Sequence, residues 1–559
     1  MTKQETPAPR QGSVNRLRGN PWAILVVLCL GFFMTLLDLT IVNIAIPNMM
    51  DELGVSYDEV LWVINGYALV LAVLLITGGR LGDILGKRHL YLAGVALFTV
   101  ASLLCGFSQS SAELIGARAA QGLGAAMLMP QTMSIVIGVF PAERRGAALG
   151  VWSSVAGVAA IAGPTVGGLL VTAFDWRWIF FVNLPVGVLV LALAPLVIPV
   201  ERRKAPRRSF DLRGVLLVSV ALFCLSFGLE EGQRFHWGRV WSVVSIPMLL
   251  VAGGVLLVGF GFAERARQKD EPLLPFRLFA DRDFALSNVT TVALSVGLIG
   301  MSLGFTIYLQ SVLGMSALSA GLTMAPMSLL TTLVAPMAGR LSDRTGGRYI
   351  LMGGLTLSAG GIAMIAVVSR ADTSRWELLP GLLLIGFGMG ATFAPLSTIA
   401  MRNVSPRLAG AASGVMNTTR QLGSVMATAS VGALLQNRLA VAFVDQAQRR
   451  AADLPAQTRG PFVRGFAGAA TDGLRLGAGQ SGGTVSLPAG TSTGVSQQVE
   501  QVARQVFTHG FVHALHVTLV LPTVVLLLGA VSCLFLTRRG QTADAPATGR
   551  ASTASATHG

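Results

Sequence analysis

The chain has 559 residues, of which 52% are hydrophobic and 12% are charged, and it carries a formal net charge of +15. A soluble domain could not bury so much apolar sequence. Because the basic residues lie in the turns between apolar runs and form no single patch, the charge does not indicate a nucleic-acid-binding protein. The composition predicts an all-α integral membrane protein.

Fourteen apolar runs are long enough to cross about 30 Å of hydrocarbon as helices. The first run is too long for the core of a signal peptide and lacks a cleavage site, so it is predicted to remain as a span. The predicted spans, numbered in chain order, cover residues 22–46, 59–79, 89–107, 113–139, 146–172, 178–199, 214–231, 241–263, 284–309, 319–339, 349–369, 377–400, 408–436 and 511–537.

The distribution of lysine and arginine predicts the orientation. If the amino terminus is cytoplasmic, the short loops on the inner side hold most of the 42 basic residues, as the positive-inside rule requires. We therefore expect a multi-pass protein of the cell (plasma) membrane with both termini cytoplasmic. The basic stretch at residues 201–208 is interpreted as an anchor near anionic lipid.

Asp38 lies well inside predicted span 1, and we place no other carboxylate as deep in any span. An ionisable group in that position is costly and indicates a functional role, here the uptake and release of a proton. Arg118 in predicted span 4 is the natural partner, because a permanent positive charge beside Asp38 favours loss of its proton. The alternative is a purely structural ion pair.

A polar turn after predicted span 2, at residues 79–88, recurs at residues 339–348 after predicted span 10. A repeat of this kind predicts two similar halves, spans 1–6 and spans 9–14, with spans 7 and 8 inserted between them. In each copy the carboxylate could accept hydrogen bonds from the amino-terminal end of a helix in the opposite half and latch the cytoplasmic side. The candidate gating residues are Arg80, Asp83, Arg88, Arg340, Asp343 and Arg348.

The halves give a domain organisation. It consists of a cytoplasmic tail (1–21), an N-terminal six-helix bundle (22–205), two inserted helices (206–270), the first five helices of the C-terminal bundle (271–436), a long extracytoplasmic loop (437–510), the last helix (511–537) and a disordered cytoplasmic tail (538–559). Within the long loop, residues 437–454 and 495–507 are predicted to be amphipathic helices. Residues 460–494 are rich in Gly, Ser and Thr and are predicted to be flexible.

Predicted span 5 brings small residues to one face and carries a proline in its middle. Small residues allow neighbouring helices to approach closely, and the proline removes a backbone hydrogen bond, so this span is predicted to hold a hinge between the halves. The residues concerned are Gly157, Gly163, Pro164, Gly167 and Gly168.

A wider set of side chains could line a substrate cavity, although ordinary helix packing is the alternative for each of them. Arg420 stands out as a second buried cation. The set comprises Asn43, Trp62, Asn65, Tyr67, Gln121, Gln131, Phe305, Tyr308, Met389, Phe393, Arg420 and Gln421.

Cysteine and histidine give no sign of a metal site or a disulfide framework. The four cysteines lie within apolar runs, and His509, His513 and His516 have helical spacing but no acidic or cysteine partners. We interpret the histidines as an exposed helix start or a pH-sensitive rim. A phosphate-cradling loop of the kind that a primary pump needs is missing, and no span holds an enzyme's nucleophile with its base. A secondary transporter without a cofactor remains.

Four motifs in order resemble the signature motifs of the major facilitator superfamily and, more narrowly, its fourteen-span drug/proton antiporters. They are Leu-Asp-Leu-Thr-Ile-Val-Asn at 37–43, the turn at 79–88, Arg-Ala-Ala-Gln-Gly-Leu-Gly at 118–124 and Gly-Pro-Thr-Val-Gly-Gly at 163–168.

The resemblance implies a monomer of two six-helix bundles that alternates access to a central cavity and exports lipophilic drugs or antibiotics as protons enter. Membrane lipids surround it, Asp38 and Arg118 couple the protons, the fifth-span motif marks antiport, and the cytoplasmic turns act as gates. An exporter of an endogenous lipid or secondary metabolite on the same scaffold is the alternative.

One departure from some multidrug pumps of this family bears on the substrate. Predicted spans 9–14 carry no deeply placed acid, so Asp38, Arg118 and Arg420 together give one net positive charge when all three are ionised. Binding of dicationic drugs is therefore expected to be unfavourable. Monocations, neutral lipophiles and lipophilic anions all remain open.

Overall fold

The computed structural model describes residues 19–55, 57–200, 211–232, 234–235, 237–240, 243–267, 273–471 and 493–537. Within these residues the chain is helical apart from turns, loops and one isolated β-bridge. Fourteen of the described helices are long and apolar enough to cross a membrane, which confirms the predicted all-α membrane fold. The predicted anchor at 201–208, the tail 538–559 and nearly all of the tail 1–21 lie outside the described residues.

The principal helices are numbered α1 to α15. They are α1 (Pro21–Leu53), α2 (Tyr57–Leu85), α3 (Lys87–Phe107), α4 (Ser111–Val139), α5 (Arg145–Ala173), α6 (Asn183–Val197), α7 (Leu212–Glu230), α8 (Ile246–Ala266), α9 (Arg282–Ile307), α10 (Ala317–Thr345), α11 (Arg348–Val368), α12 (Arg375–Met401), α13 (Ala409–Arg450), α14 (Ala456–Thr471) and α15 (Thr493–Ser532).

The side of the membrane that holds the two repeated turns is called the motif side, and the other is the far side. Both turns use glycine with a positive φ, at Gly86 (99°) and Gly346 (88°), where a residue with a side chain would be strained.

Outside the membrane the structure is more helical than the sequence predicted. On the far side α13 continues to Arg450 and α15 begins at Thr493, in agreement with the amphipathic patterns there. The expectation that residues 460–494 are flexible is wrong for residues 460–471, which belong to α14, and for Thr493 and Gly494, which begin α15. Residues 472–492 lie outside the described part. The reason is that Phe462 and Phe466, one turn apart on α14, are both buried against α13, where Phe466 lies 6.2 Å from Phe443 between ring centroids.

The two halves meet mainly through two helix pairs, α2 with α13 and α5 with α10, and α4 with α13 and α5 with α12 make smaller contacts. Glycines face each other at both crossings. A Cβ atom added to Gly79 would meet the backbone of Gly410, and one added to Gly339 would meet the backbone of Gly146. Because only glycine allows this approach, the halves are closed against each other on the motif side.

The inserted helices α7 and α8 form a hairpin that lies along the seam between α2 and α13. Val218 and Leu222 of α7 pack with Ile76 of α2 and with Leu422 of α13, so the hairpin contacts both halves. At its base, burial tends to raise the pKa of Asp211, but hydrogen bonds from Gly214 N (3.0 Å) and from the Arg267 guanidinium lower that pKa below its ordinary value.

Candidate functional site

Asp38 and Arg118 meet in the interior of the N-terminal half, and both are fully buried. Arg118 Nη1 donates a hydrogen bond to Asp38 Oδ2 and another to Gln121 Oε1 (2.9 Å), while Arg118 Nε donates to Val63 O (3.0 Å). Arg118 and Gln121 share a face of α4 because they are three residues apart. The predicted pairing of Asp38 with Arg118 is therefore present.

The second carboxylate oxygen of Asp38 is also occupied. Gln121 Nε2 donates to Asp38 Oδ1 at 2.9 Å, and Asn183 Nδ2 of α6 approaches the same atom at 3.4 Å. Both amides also donate to Ser102 Oγ of α3, at 3.2 and 3.0 Å. Sequence reasoning missed Ser102 and Asn183; the available signal was a buried polar residue within each of two apolar runs.

Aromatic rings close the network around the guanidinium. The Cζ atom of Arg118 lies 4.4 Å from the ring centroid of Tyr67 and 5.9 Å from that of Phe180. Such placement stabilises a desolvated cation. Two ions can be buried together when their charges cancel and their polar atoms are hydrogen-bonded. Removal of either partner leaves an uncompensated buried charge.

A second feature lies between the halves, where a cavity of about 220 Å³ is bounded by helices of both. Its walls are mostly apolar, and Arg420 of α13 is the one charged side chain among the described residues that line it. The lining residues are Leu36, Met133, Trp152, Ala156, Thr291, Leu294, Ser295, Leu298, Ile299, Phe393, Leu396, Ser397, Met416, Asn417, Arg420 and Ser424. Leu36, which lines the cavity, and Asp38 lie within one turn of each other on α1. The same helix therefore contacts both the cavity and the buried pair.

Of the side chains predicted to line a cavity, Phe393 and Arg420 do so here. Tyr67 and Gln121 belong to the network around Arg118 instead. Gln131 donates to Gly78 O (2.9 Å) between α4 and α2.

Other members of that set pack further from the centre. Trp62 lies 5.8 Å from Phe227 between ring centroids, and Asn65 Nδ2 donates to Glu231 Oε1 (2.9 Å), both against the inserted hairpin. Asn43 is exposed and bonds within α1. Phe305, Tyr308 and Met389 lie in the core of the C-terminal half, and Gln421 is half-buried on α13.

On the motif side, the two repeated carboxylates make equivalent contacts across the halves. Asp83 accepts hydrogen bonds from Gly410 N (3.2 Å) and Ala411 N (3.0 Å), in the first turn of α13. Asp343 accepts from Gly146 N (2.8 Å) and Ala147 N (3.0 Å), in the first turn of α5. The first N–H groups of a helix have no partner within it, and its dipole favours an anion there. We call these four hydrogen bonds the latch.

The arginines of the repeated turns do not share this arrangement. Arg88 Nη2 donates to Pro195 O (3.0 Å) and Arg348 Nη1 donates to Leu536 O (3.1 Å), each within its own half. Arg80 is buried, whereas Arg340 is exposed. The sequence did not single out Lys87, whose Nζ donates to Pro406 O (2.9 Å) across the halves.

The glycines of α5 are not equivalent. A Cβ atom on Gly157 would meet Ser328 and Thr332 of the opposite half, whereas one on Gly163 would meet Thr40 and one on Gly167 would meet Ile41, both on α1. Gly168 has no atom within 4 Å of such a Cβ. Pro164 lies inside α5, and its side chain is outside the described part.

We expect Gly163→Ala to lower transport strongly and Gly168→Ala to leave it near the wild-type rate. The added methyl group at position 163 overlaps Thr40, and overpacking of this kind costs about 1–3 kcal/mol. Initial transport rates and melting temperatures of the two variants measure the difference. Equal rates for both would mean that the close contact of α5 with α1 is unimportant.

The three histidines are spread along α15. His516 Nε2 lies 2.9 Å from Ser369 O, His509 Nδ1 lies 2.9 Å from Gln505 O, and His513 is exposed. Over the described residues, no group of three His, Cys, Asp or Glu side chains is arranged to hold a metal ion.

Comparison with known proteins gives consistent matches. The sequence profile of the Major Facilitator Superfamily matches residues 28–428. The chain is 40% identical over 436 residues to the uncharacterized MFS-type transporter Rv1250 of Mycobacterium tuberculosis, covering 78% of this chain and 74% of that protein. It is 34% identical over 430 residues to the tetracenomycin C resistance and export protein of Streptomyces glaucescens, covering 77% of this chain and 79% of that protein.

Among solved structures, the human organic anion transporter MFSD10 (TETRAN) superposes with a TM-score of 0.52. The match covers 92% of this chain and 100% of that one, at 14% sequence identity. At that identity the likeness concerns the fold alone.

Proposed function

The chain belongs to the major facilitator superfamily, and we propose that within it this protein is a proton-coupled antiporter that exports lipophilic drugs or antibiotics by alternating access. The observation that carries the proposal is the buried pair of Asp38 and Arg118. A carboxylate surrounded by donors can hold or release a proton as its neighbours move, and no cofactor is then needed. The similarity to a tetracenomycin C export protein supports an antibiotic as cargo.

Alternating access needs two states, and the latch belongs to one of them. We take the motif side as cytoplasmic, in line with the distribution of basic residues, and the membrane as the plasma membrane. With the latch closed the cytoplasmic route is shut. Opening requires loss of the four hydrogen bonds and of the glycine contacts, and the repeated geometry lets both ends of the seam open together.

Transport of a panel of lipophiles into proteoliposomes under an imposed pH gradient tests the proposal. The panel contains matched cationic, neutral and anionic compounds, with protein-free liposomes as the background. We expect accumulation of at least one class only while the gradient lasts, and its collapse on addition of a protonophore. Transport of the same compound at an unchanged rate and to an unchanged extent without any gradient would overturn proton coupling.

A second candidate cargo is a metabolite made by the same cell. The relative named for both resistance to and export of tetracenomycin C favours it, because one exporter there serves both roles. A biosynthetic gene cluster beside the gene would support self-resistance, and an envelope-lipid operon would support a lipid cargo.

A further inference from the structure

Arg118 in the buried network and Arg420 in the wall of the cavity between the halves differ in one respect. The charge of Arg118 is balanced by Asp38, whereas within the described residues no carboxylate forms an ion pair with Arg420. Arg420 Nη2 donates to Asn417 Oδ1 (2.8 Å), which is a neutral acceptor. A guanidinium has five N–H donors and keeps its proton at all physiological pH values.

Among the described residues, the cavity around Arg420 holds no group that could neutralise the charge of its guanidinium. Its sixteen lining residues include no Asp or Glu, and the polar ones are hydroxyl and amide side chains. A cation enclosed by apolar walls without a counter-ion is unfavourable. An anion that enters the cavity would remove this penalty.

Local packing does not account for the guanidinium. The contact of α13 with α9 at this level uses the backbone carbonyl of Arg420, which accepts a hydrogen bond from Ser295 Oγ (3.1 Å). The contact between the two helices also includes a close approach of Gly423 on α13 to Ser295 on α9. Neither interaction needs an arginine side chain.

We infer that the cavity between the halves binds lipophilic organic anions, with the anionic group on the Arg420 guanidinium. The fork of N–H groups suits a carboxylate, phenolate or sulfonate, and the hydroxyl of Ser397 lines the same cavity. The apolar body of the ligand packs on Trp152, Met133 and Phe393. The inference rests on the proposed function only in taking this cavity as the substrate site.

The membrane potential acts in favour of such a cargo. Moving a charge across the membrane changes its free energy in proportion to the membrane potential. With a negative cell interior, that term favours the exit of an anion, whereas it opposes the exit of a cation. Antiport of protons against an organic anion would therefore be driven by both the pH gradient and the potential.

Equilibrium binding to the purified full-length protein in nanodiscs tests the inference, with 2-naphthalenesulfonate as the anionic probe and 2-naphthalenesulfonamide as its uncharged analogue. We expect the wild type to bind the sulfonate more tightly than the sulfonamide. Arg420→Gln should lower the affinity for the sulfonate about tenfold to a hundredfold. A hydrogen bond to a charged group contributes about 1.5–3 kcal/mol, and 1.4 kcal/mol corresponds to a tenfold change in affinity. The affinity of the same variant for the sulfonamide should differ from that of the wild type by about twofold or less. Arg420→Lys should give an intermediate loss for the sulfonate.

Three outcomes would overturn the inference: no binding of the sulfonate to the wild type, equal affinity for the two probes, or equal losses of both in Arg420→Gln, which indicates a structural role. Asp38→Asn separates this from the proposed function. Binding needs no gradient, so Asp38→Asn should keep the preference for the sulfonate while losing driven transport. Full coupling in Asp38→Asn would remove the antiport mechanism and leave the anion site intact.

Discussion

Asp38→Asn is expected to abolish accumulation driven by a pH gradient, because an amide cannot take up and release the proton. The substitution preserves the shape of the side chain, and the new amide oxygen can still accept a hydrogen bond from Arg118. The contacts of Arg118 with Val63 O and Gln121 Oε1 also remain. Accumulation of the compound that the wild type transports best, with and without the gradient, measures the effect.

The cost to stability must be separated from the loss of coupling. Breaking a buried ion pair from one side costs about 3–5 kcal/mol, so Asp38→Asn should have a lower melting temperature. The double variant Asp38→Asn with Arg118→Gln removes the unpaired charge and should regain stability without regaining coupling. If the double variant regained both stability and gradient-driven accumulation, the loss of accumulation in Asp38→Asn would be a folding defect.

Glu264→Gln is the matched control for the removal of a buried carboxylate. Glu264 is fully buried on α8, in the inserted hairpin, and accepts a hydrogen bond from Leu274 N (2.9 Å). It lies apart from the network of Asp38. We expect this variant to retain gradient-driven transport; a loss equal to that of Asp38→Asn would mean that coupling is not specific to the buried pair.

Gly410→Ala and Gly146→Ala are expected to hold the motif side open. A Cβ atom at position 410 would meet Asp83 Oδ1 and Gly79 O, and one at position 146 would meet the equivalent atoms of Asp343 and Gly339. Overpacking costs about 1–3 kcal/mol, which shifts the equilibrium between the two states about fivefold to 140-fold at 1.4 kcal/mol per tenfold. Transport should fall correspondingly.

Distances between spin labels placed on the motif-side ends of α2 and α13 measure the shift directly. They should lengthen in Gly410→Ala relative to the wild type. Gly138→Ala is the control, because Gly138 lies at the motif-side end of α4 and an added Cβ has no neighbour within 4 Å. Wild-type distances in Gly410→Ala, with normal transport, would contradict the role of the latch.

Much of the architecture follows from local sequence patterns. Long apolar runs define the membrane helices, and the repeated turn identifies two halves. Asp38 stood out because a carboxylate in an apolar run is costly wherever the helix packs. The prediction failed at residues 460–471, where abundant Gly, Ser and Thr outweighed the two phenylalanines of α14 that bury against α13.

The number of spans, the twofold organisation and the candidate buried pair could all be predicted from the sequence alone, because each depends on residues close together in the chain or on direct repetition. Which further residues complete the site became visible in the three-dimensional packing of the helices. Asn183 approaches Asp38 from another helix, and Ser102 accepts hydrogen bonds from both Gln121 and Asn183. Among the described residues that line its cavity, Arg420 meets no carboxylate. Those contacts depend on how each helix is rotated and packed against its neighbours, which the spacing of residues within one helix does not specify.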